Sequence, residues 1–302
     1  MLSRTVKDTI IEYVSEKNVL FDEDLSKHTS FKIGGPADAF VEIENDEQLT
    51  KLSDYLDRVE EKYYILGNGS NTLFPDRGYE GVILHIGGNF SDITVSGETI
   101  TAKAGASLVK VAKTAQENSL TGLEFAAGIP GTVGGGVVMN AGAYDGEMSQ
   151  VVSAVKAISP KGEEIELENK SLEFGYRYSI LRHRGYVVTE VSFKLHSGDK
   201  DEIQRKMDDF NSRRREKQPL EYPSAGSVFK RPEGYYAGKL IMDAGLRGFQ
   251  IGGARVSDKH CGFIINVNHA SAEDVKEVIE EITLRVRERF GVDLEPEIEI
   301  PE

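Results

Sequence analysis

The sequence predicts a mixed α+β fold with a larger N-terminal part and a smaller C-terminal part. Apolar residues recur at helical spacing in several segments, whereas residues 67–196 read mostly as strands separated by turns and interrupted by one helix. After Leu195 a polar stretch, residues 196–201, precedes a strongly charged helix and therefore marks a candidate linker. No segment repeats at a fixed period, so a solenoid is excluded.

The helices are predicted from apolar positions three or four residues apart and from their capping residues. The last helix has the clearest limits, because Ser271 and Asp274 match a capping box and Gly291 follows the final apolar residue. The predicted helices are an N-terminal one carrying Leu2, Val6, Ile10 and Val14, and those at 46–59, 107–118, 202–215 and 272–290.

Three strands are predicted outside the central strand-rich region or at its start. Residues 31–44 alternate, with Ala39, Val41 and Ile43 on one side, and are predicted as a strand that follows the Gly34-Gly35-Pro36 turn. Residues 63–66 form a short apolar run that leads directly into a glycine-containing turn. Residues 294–300 are predicted as a terminal strand that closes the chain.

Composition excludes several classes of protein. The chain has 36 Lys and Arg against 50 Asp and Glu, and a net charge of −14 opposes binding to a phosphate backbone. One cysteine allows neither a disulfide framework nor a Cys-rich zinc site, and the six histidines form no His-x-x-x-His pair, so no metal is expected. The charged N-terminus lacks a secretory h-region, which predicts a cytoplasmic protein. The uncharged run 125–144 contains six glycines and Pro130, so we interpret it as a buried, loop-rich segment and not as a membrane helix.

Two glycine-rich segments predict a nucleotide site. In the first, a strand runs into Gly67-Asn68-Gly69-Ser70-Asn71, where successive backbone N–H groups could hold a phosphate, although Thr72 breaks the dinucleotide fingerprint. The second has five glycines within residues 128–136 and continues to residue 142, which leaves a backbone surface free of side chains. Their separation of about sixty residues suggests one dinucleotide lying across both.

Four further residues could carry chemistry, although each also has an ordinary structural explanation. Arg177 offers a planar fork for a carboxylate or enolate, but it could simply be an exposed arginine between two tyrosines. Ser227 lies among small residues, yet the segment is not a Gly-x-Ser-x-Gly nucleophile elbow. Glu295 and Glu297 would share one face of a strand, where solvation alone could explain both.

Taken together and in this order, these segments resemble the UDP-N-acetylenolpyruvoylglucosamine reductases, flavoenzymes of peptidoglycan precursor synthesis. The resemblance runs from His28-Thr29-Ser30-Phe31 through Glu297 and covers nearly the whole chain. It implies the vanillyl-alcohol-oxidase-type (PCMH-type) FAD-binding fold, with FAD-binding subdomains at 1–75 and 76–200 and a smaller α+β substrate domain at 201–302. The stretch from Arg177 to Val191 is too short for the tyrosine-bearing loop of one subclass, so the chain resembles the other subclass.

The resemblance also implies the cofactors. FAD would be non-covalent, because the first glycine loop has Ser70 and its neighbours where covalently flavinylated relatives often carry a histidine. NADPH would be the electron donor, and a hydride would pass through FAD to the methylene carbon of an enolpyruvyl ether. The implied cofactor-binding residues are Gly67, Asn68, Gly69, Ser70, Asn71, Gly128, Ile129, Pro130, Gly131, Gly134, Gly135, Asn140, Ala141 and Gly142.

The same resemblance assigns catalytic roles to three residues. Arg177 and Glu297 resemble the pair that stabilises an enolate-like intermediate, and Ser227 resembles the acid that protonates the adjacent carbon. The substrate-binding candidates are Tyr144, Tyr176, Arg214 and Lys217, of which the two basic residues would meet the substrate diphosphate. The expected partners are the small-molecule UDP-sugar substrate and NADPH, without nucleic acid or membrane.

Two other functions remain open from the sequence alone. A flavin oxidase of the same fold would pass its electrons to oxygen and turn over without NADPH. A non-catalytic nucleotide-binding module would be colourless, whereas a flavoprotein is yellow.

Overall fold

Helices and short strands alternate along the computed structural model, which describes all 302 residues. The helices are α1 (Arg4–Val14), α2 (Asp46–Arg58), α3 (Leu108–Glu117), α4 (Val133–Val138), α5 (Ile180–His183), α6 (Lys200–Lys217), α7 (Ala237–Asp243) and α8 (Ala272–Phe290). The strands are β1 (Val19–Asp24), β2 (Pro36–Glu42), β3 (Tyr63–Leu66), β4 (Tyr79–His85), β5 (Ile93–Ser96), β6 (Thr99–Lys103), β7 (Leu120–Thr121), β8 (Gly142–Ala143), β9 (Gly146–Glu147), β10 (Val152–Ile158), β11 (Glu164–Glu168), β12 (Val187–Lys194), β13 (His196–Ser197), β14 (Gln250–Ile251), β15 (Ala254–Val256) and β16 (Ile264–Asn266).

The strands form three sheets and two short pairs. A four-stranded sheet has the order β1-β2-β4-β3, with β3 and β4 parallel. A five-stranded sheet has the order β11-β10-β12-β6-β5 and is antiparallel throughout. The remaining sheet is β14-β15-β16, and the pairs are β13-β7 and β8-β9. This mixture of helices with parallel and antiparallel strands is the predicted α+β class.

The chain divides into two compact units, each built from separate stretches of sequence. The first unit comprises Met1–Phe21, Ala39–Asn68 and Gly81–Arg214, and the second comprises Asp22–Asp38, Gly69–Glu80 and Arg215–Glu302. Each unit has its own apolar core. In the second unit, Phe31, Ile33 and Leu73 pack in the same core as apolar residues of α7 and α8. The boundaries 1–75, 76–200 and 201–302 stay a prediction.

The structure confirms the predicted capping of α8, whereas the Ser107 side chain makes no capping hydrogen bond at the start of α3. In α8, Ser271 Oγ accepts a hydrogen bond from Asp274 N at 3.0 Å, and Asp274 Oδ2 accepts one from Ser271 N at 3.1 Å. Gly291 ends the helix with a left-handed φ of 68°. Such local signals lie within a few residues of each other, which is why the sequence reveals them.

Two segments that the sequence predicts as loop or linker contain regular secondary structure instead. The glycine-rich run contains helix α4, whose N-cap Thr132 accepts from Gly135 N at 3.3 Å. A second short helix, α5, also lies in the region where one helix was predicted. The proposed linker 196–201 is wrong as well, because β13 pairs with β7 and α6 already begins at Lys200. None of the helices combines the length and hydropathy needed to cross a membrane.

One predicted strand is confirmed and another is corrected. The strand expected after the Gly34-Gly35-Pro36 turn is β2, which begins at Pro36. Before that turn, Lys32 adopts a left-handed φ of 58° and Lys32 N closes a turn onto Thr29 O at 3.2 Å. The terminal strand 294–300 is not a regular strand. It makes isolated bridges instead, one between Phe229 and Pro296 and one between Thr72 and Glu299. The segment therefore changes partner along its length.

Candidate functional site

Gly67 and Asn68, at the start of the first glycine segment, meet the second glycine segment within the first unit. Asn68 Nδ2 donates a hydrogen bond to Pro130 O at 2.9 Å. A Cβ atom on Gly67 would lie only 2.5 Å from Thr132 Oγ1, so any larger residue at position 67 would displace the threonine that caps α4. The two segments are thus in direct contact although they are about sixty residues apart in sequence.

Most glycines of the second segment allow the protein to pack against itself. A Cβ on Gly128 would lie 2.8 Å from Asn211 Oδ1, and one on Gly134 would lie 3.0 Å from the Cβ of Ala104. A Cβ on Gly142 would lie 2.7 Å from Gly146 O, across the β8-β9 pair. The high glycine content therefore has a packing cause that the sequence did not reveal.

Gly135 is the exception, because it is exposed on α4 and its Cβ would meet only Thr132 Oγ1, at an ordinary 3.4 Å. Asn68 and Pro130 are exposed too, and Gly131 is half-buried beside them. We call Asn68, Pro130, Gly131 and Gly135 the glycine face. Its two glycines present backbone without side chains, which leaves room for a flat nucleotide.

The other predicted cofactor residues lie in different surroundings. Gly128, Ile129, Ala141 and Gly142 are half-buried in the first unit, whereas Gly134 and Asn140 are buried. Gly69, Ser70 and Asn71 belong to the second unit. Asn71 Nδ2 donates to Glu297 O at 3.1 Å, and Asn71 O accepts from Glu299 N at 2.8 Å. Asn71 therefore ties the glutamate segment to the first glycine loop.

Ser227 and Glu297 lie on neighbouring extended segments of the second unit. Glu297 N donates to Val228 O at 2.7 Å, and Phe229 bridges Pro296. On its other side Ser227 bridges Phe263. Both Ser227 and Glu297 are half-buried, so each side chain is held by a fixed backbone without being sealed from a ligand.

His260 is a neighbour of Ser227 that sequence reasoning missed. A Cβ on Gly262 would lie 2.9 Å from His260 Cε1 and 3.4 Å from Ser227 Oγ, so this glycine separates the two side chains. His260 Nδ1 accepts from Gly262 N at 3.1 Å, and burial lowers the pKa of the imidazole below its ordinary value. Burial therefore favours the neutral imidazole over its charged form. No spacing rule connects residues 227 and 260, so the sequence held no signal for this proximity.

Arg177 lies in the first unit at the third position of a tight turn. Gly175 N donates to Tyr178 O at 3.0 Å, and Tyr178 N donates to Gly175 O at 3.2 Å. Arg177 has a left-handed φ of 54°, and its guanidinium lies 5.1 Å from the centre of the Tyr176 ring. Tyr176 is 53% exposed, so a ligand can reach it.

Tyr144 and Arg214 lie together in the first unit. Tyr144 and Asp145 form the two-residue turn of the β8-β9 hairpin, both with positive φ. The Tyr144 ring stacks on Phe210 of α6, with centroids 4.6 Å apart. Burial raises the pKa of Tyr144, and the nearby charge of Arg214 opposes that rise. Lys217 is exposed at the end of α6, in the second unit.

Comparison with known proteins identifies both parts of the chain. The family model "FAD binding domain" matches residues 37–168, and "UDP-N-acetylenolpyruvoylglucosamine reductase, C-terminal domain" matches residues 218–301. The alkyldihydroxyacetonephosphate synthase structure aligns with a TM-score of 0.50 at 13% identity over 65% of this chain and 41% of its own, which shows the fold alone. The fold is thus the vanillyl-alcohol-oxidase-type (PCMH-type) FAD-binding fold, and FAD is the cofactor.

More similar proteins cover nearly the full length. A UDP-N-acetylenolpyruvoylglucosamine reductase from Caldanaerobacter subterraneus is 47% identical over 99% of this chain and 99% of its own. One from Clostridium perfringens is 48% identical over 96% of this chain and 95% of its own. The crystal structure of the reductase from Thermus caldophilus aligns with a TM-score of 0.81 at 36% identity, covering 94% of this chain and 98% of that one. The chain therefore belongs to the UDP-N-acetylenolpyruvoylglucosamine reductase family.

Proposed function

We propose that this chain reduces the enolpyruvyl ether of UDP-N-acetylglucosamine to the lactyl ether, UDP-N-acetylmuramate, with NADPH as the electron donor. The full-length similarity to reductases of this name supports the reaction and its place in peptidoglycan precursor synthesis. The substrate is a small molecule. We place the reaction in the cytoplasm, where NADPH and nucleotide sugars are available.

The glycine face is the proposed contact for FAD. FAD, when bound, supplies the two-electron chemistry by accepting a hydride from NADPH and making it available to the substrate. Exposed backbone at Gly135 suits a pyrophosphate or a flat ring, because glycine places no side chain between the backbone and the ligand. Asn68 holds the edge of this face through its bond to Pro130. We propose that the attachment is non-covalent.

The substrate side is assigned to charged and hydroxyl groups. Arg177 stabilises the negative charge that develops on the carboxylate side, where a planar guanidinium matches two oxygens. Ser227 delivers the proton to the carbon next to the one that receives the hydride. Glu297 shares a proton with the enolate-like species. Tyr144, Tyr176, Arg214 and Lys217 are the proposed substrate-binding residues, and the two cations neutralise the diphosphate.

One observation carries this assignment. Ser227 and Glu297 are seventy residues apart in sequence, yet Glu297 N is hydrogen-bonded to Val228 O at 2.7 Å. A proton donor and a proton-sharing carboxylate thereby reside on adjacent backbone segments, as protonation of an enolate requires.

We expect the purified protein to be yellow and to release FAD, not FMN, on denaturation. NADPH should bleach the flavin under anaerobic conditions, and the enolpyruvyl substrate should restore its absorbance with formation of the lactyl ether. Recovery of the absorbance by oxygen but not by the substrate would indicate an oxidase. A colourless protein without flavin would indicate a nucleotide-binding module.

Replacing Gly135 by leucine tests the location of FAD. The substitution adds an exposed side chain to the glycine face and removes a helix-weakening glycine from α4, so the fold should be kept. We expect FAD content to fall by at least tenfold, measured by absorbance after gel filtration, with native circular dichroism. Lys110→Leu, at an exposed position of α3, is the matched control and should keep its FAD. Full FAD content in Gly135→Leu would contradict the proposed contact.

A further inference from the structure

Arg177 has a backbone conformation that arginine rarely adopts. Its φ of 54° is left-handed, where the Cβ atom approaches the following carbonyl and glycine or asparagine is favoured. The turn is closed by the two backbone hydrogen bonds between Gly175 and Tyr178. Such a conformation persists only where surrounding contacts determine it.

Those contacts come from the end of the second glycine segment. Asn140 Nδ2 donates to Gly175 O at 2.9 Å, at the start of the turn. Just after the turn, the fully buried Ser179 donates from Oγ to Val138 O at 2.8 Å. The turn is therefore attached on both sides to residues 138–140.

Asn140 is itself rigid. Its side chain is 1% exposed, and its Oδ1 accepts from Ser149 N at 2.9 Å, so both ends of the amide are engaged. It also has a left-handed φ of 44°, which asparagine tolerates better than most residues. An amide held in this way fixes the position of Gly175 O.

We propose that Asn140 is a positioning residue for Arg177. Its side chain holds the 175–178 turn so that the guanidinium keeps the direction needed to meet the developing negative charge. This inference rests on the role proposed above for Arg177. It moves Asn140 from the set expected to bind the cofactor to the set that orients a catalytic group. A small displacement of a catalytic group lowers the reaction rate by a large factor.

Asn140→Asp is the direct test. Aspartate keeps the left-handed tolerance and the acceptor for Ser149 N, but it places a carboxylate oxygen against Gly175 O instead of a donor. We expect kcat for substrate reduction to fall about 10- to 100-fold with little change in KM. FAD content and flavin reduction by NADPH should match the unaltered holoenzyme. Glycine also tolerates the left-handed φ, so Asn140→Gly should likewise lower kcat and leave KM, FAD content and flavin reduction by NADPH nearly unchanged.

Asn169→Asp is the matched control. Asn169 Nδ2 donates to Ser149 O at 2.8 Å and to Val152 O at 2.7 Å, so it anchors the same neighbourhood without holding the turn. We expect Asn169→Asp to lower the thermal midpoint and to keep kcat. Equal slowing of both half-reactions in Asn140→Asp, or loss of its FAD, would show a merely structural role and overturn the inference.

The double variant Asn140→Asp/Arg177→Lys separates this inference from the proposed function. If Asn140 acts through Arg177, adding Asn140→Asp to Arg177→Lys should cause little further loss of kcat. If the losses of kcat in the two single variants multiply in the double variant, the positioning role of Asn140 is overturned and the role of Arg177 stays intact. Full activity of Arg177→Lys alone would overturn both.

Discussion

Ser227→Ala holoenzyme is expected to accept electrons from NADPH at the normal rate and to pass them to the enolpyruvyl substrate about 10²–10⁴ times more slowly. That factor corresponds to roughly 3–5 kcal/mol of transition-state stabilisation, the range associated with loss of a general acid. Stopped-flow absorbance measures the two half-reactions separately. The difference follows from the proposed role, since only the second half-reaction needs the hydroxyl proton.

Ser224→Ala provides a matched control, because it removes a hydroxyl three residues earlier in the same segment. It should keep both rates, since Ser224 contacts Ser30 through its backbone carbonyl, which accepts from Ser30 Oγ at 2.7 Å. Equal slowing of both half-reactions in Ser227→Ala would point to a defect in folding or flavin binding. A normal second half-reaction would remove Ser227 from the catalytic set.

The second large effect is expected for Arg177→Lys. Lysine keeps the positive charge and has the same difficulty with the left-handed backbone, so the variant isolates the loss of the planar fork. We expect kcat for substrate reduction to fall about 10²-fold, as for removal of one donor to a developing oxyanion. Substrate affinity for the oxidised enzyme should change little, because the lost interaction forms mainly in the transition state.

Arg184→Lys, at the exposed end of α5, makes the same chemical change elsewhere and should leave kcat unaltered. Flavin content and NADPH reduction should be normal in both variants. A drop in substrate affinity at a constant saturated rate would mean that Arg177 only holds the ground-state carboxylate. Titration of oxidised enzyme with substrate distinguishes these outcomes.

Sequence patterns predicted the fold best where the signals were local. The limits of α8 follow from Ser271, Asp274 and Gly291, all within one or two turns of the helix ends. Helix α4 escaped prediction because its three glycines oppose helix formation, and packing outweighs that preference. The changing partners of residues 294–300 depend on distant segments, so alternation alone suggested a regular strand.

The candidate site was predictable in part. The two glycine segments were recognised as one site, and they meet through Gly67 and Thr132. Their asparagines were assigned only to the cofactor, whereas Asn71 and Asn140 hold the backbones of Glu297 and Gly175. Side-chain contacts across more than thirty residues leave no periodic trace. The roles of Arg177, Ser227 and Glu297 came from resemblance to a family and stay predictions until the variants are measured.

The discontinuous second unit has a consequence for synthesis on the ribosome. Phe31, Ile33 and Leu73 are translated well before α7 and α8, which complete the core in which they are buried. This unit cannot complete its core cotranslationally from the N-terminus, as many domains do. Its early segments must wait with apolar side chains uncovered for most of the elongation time. The nascent chain therefore exposes more apolar surface than the folded protein and is more prone to aggregation.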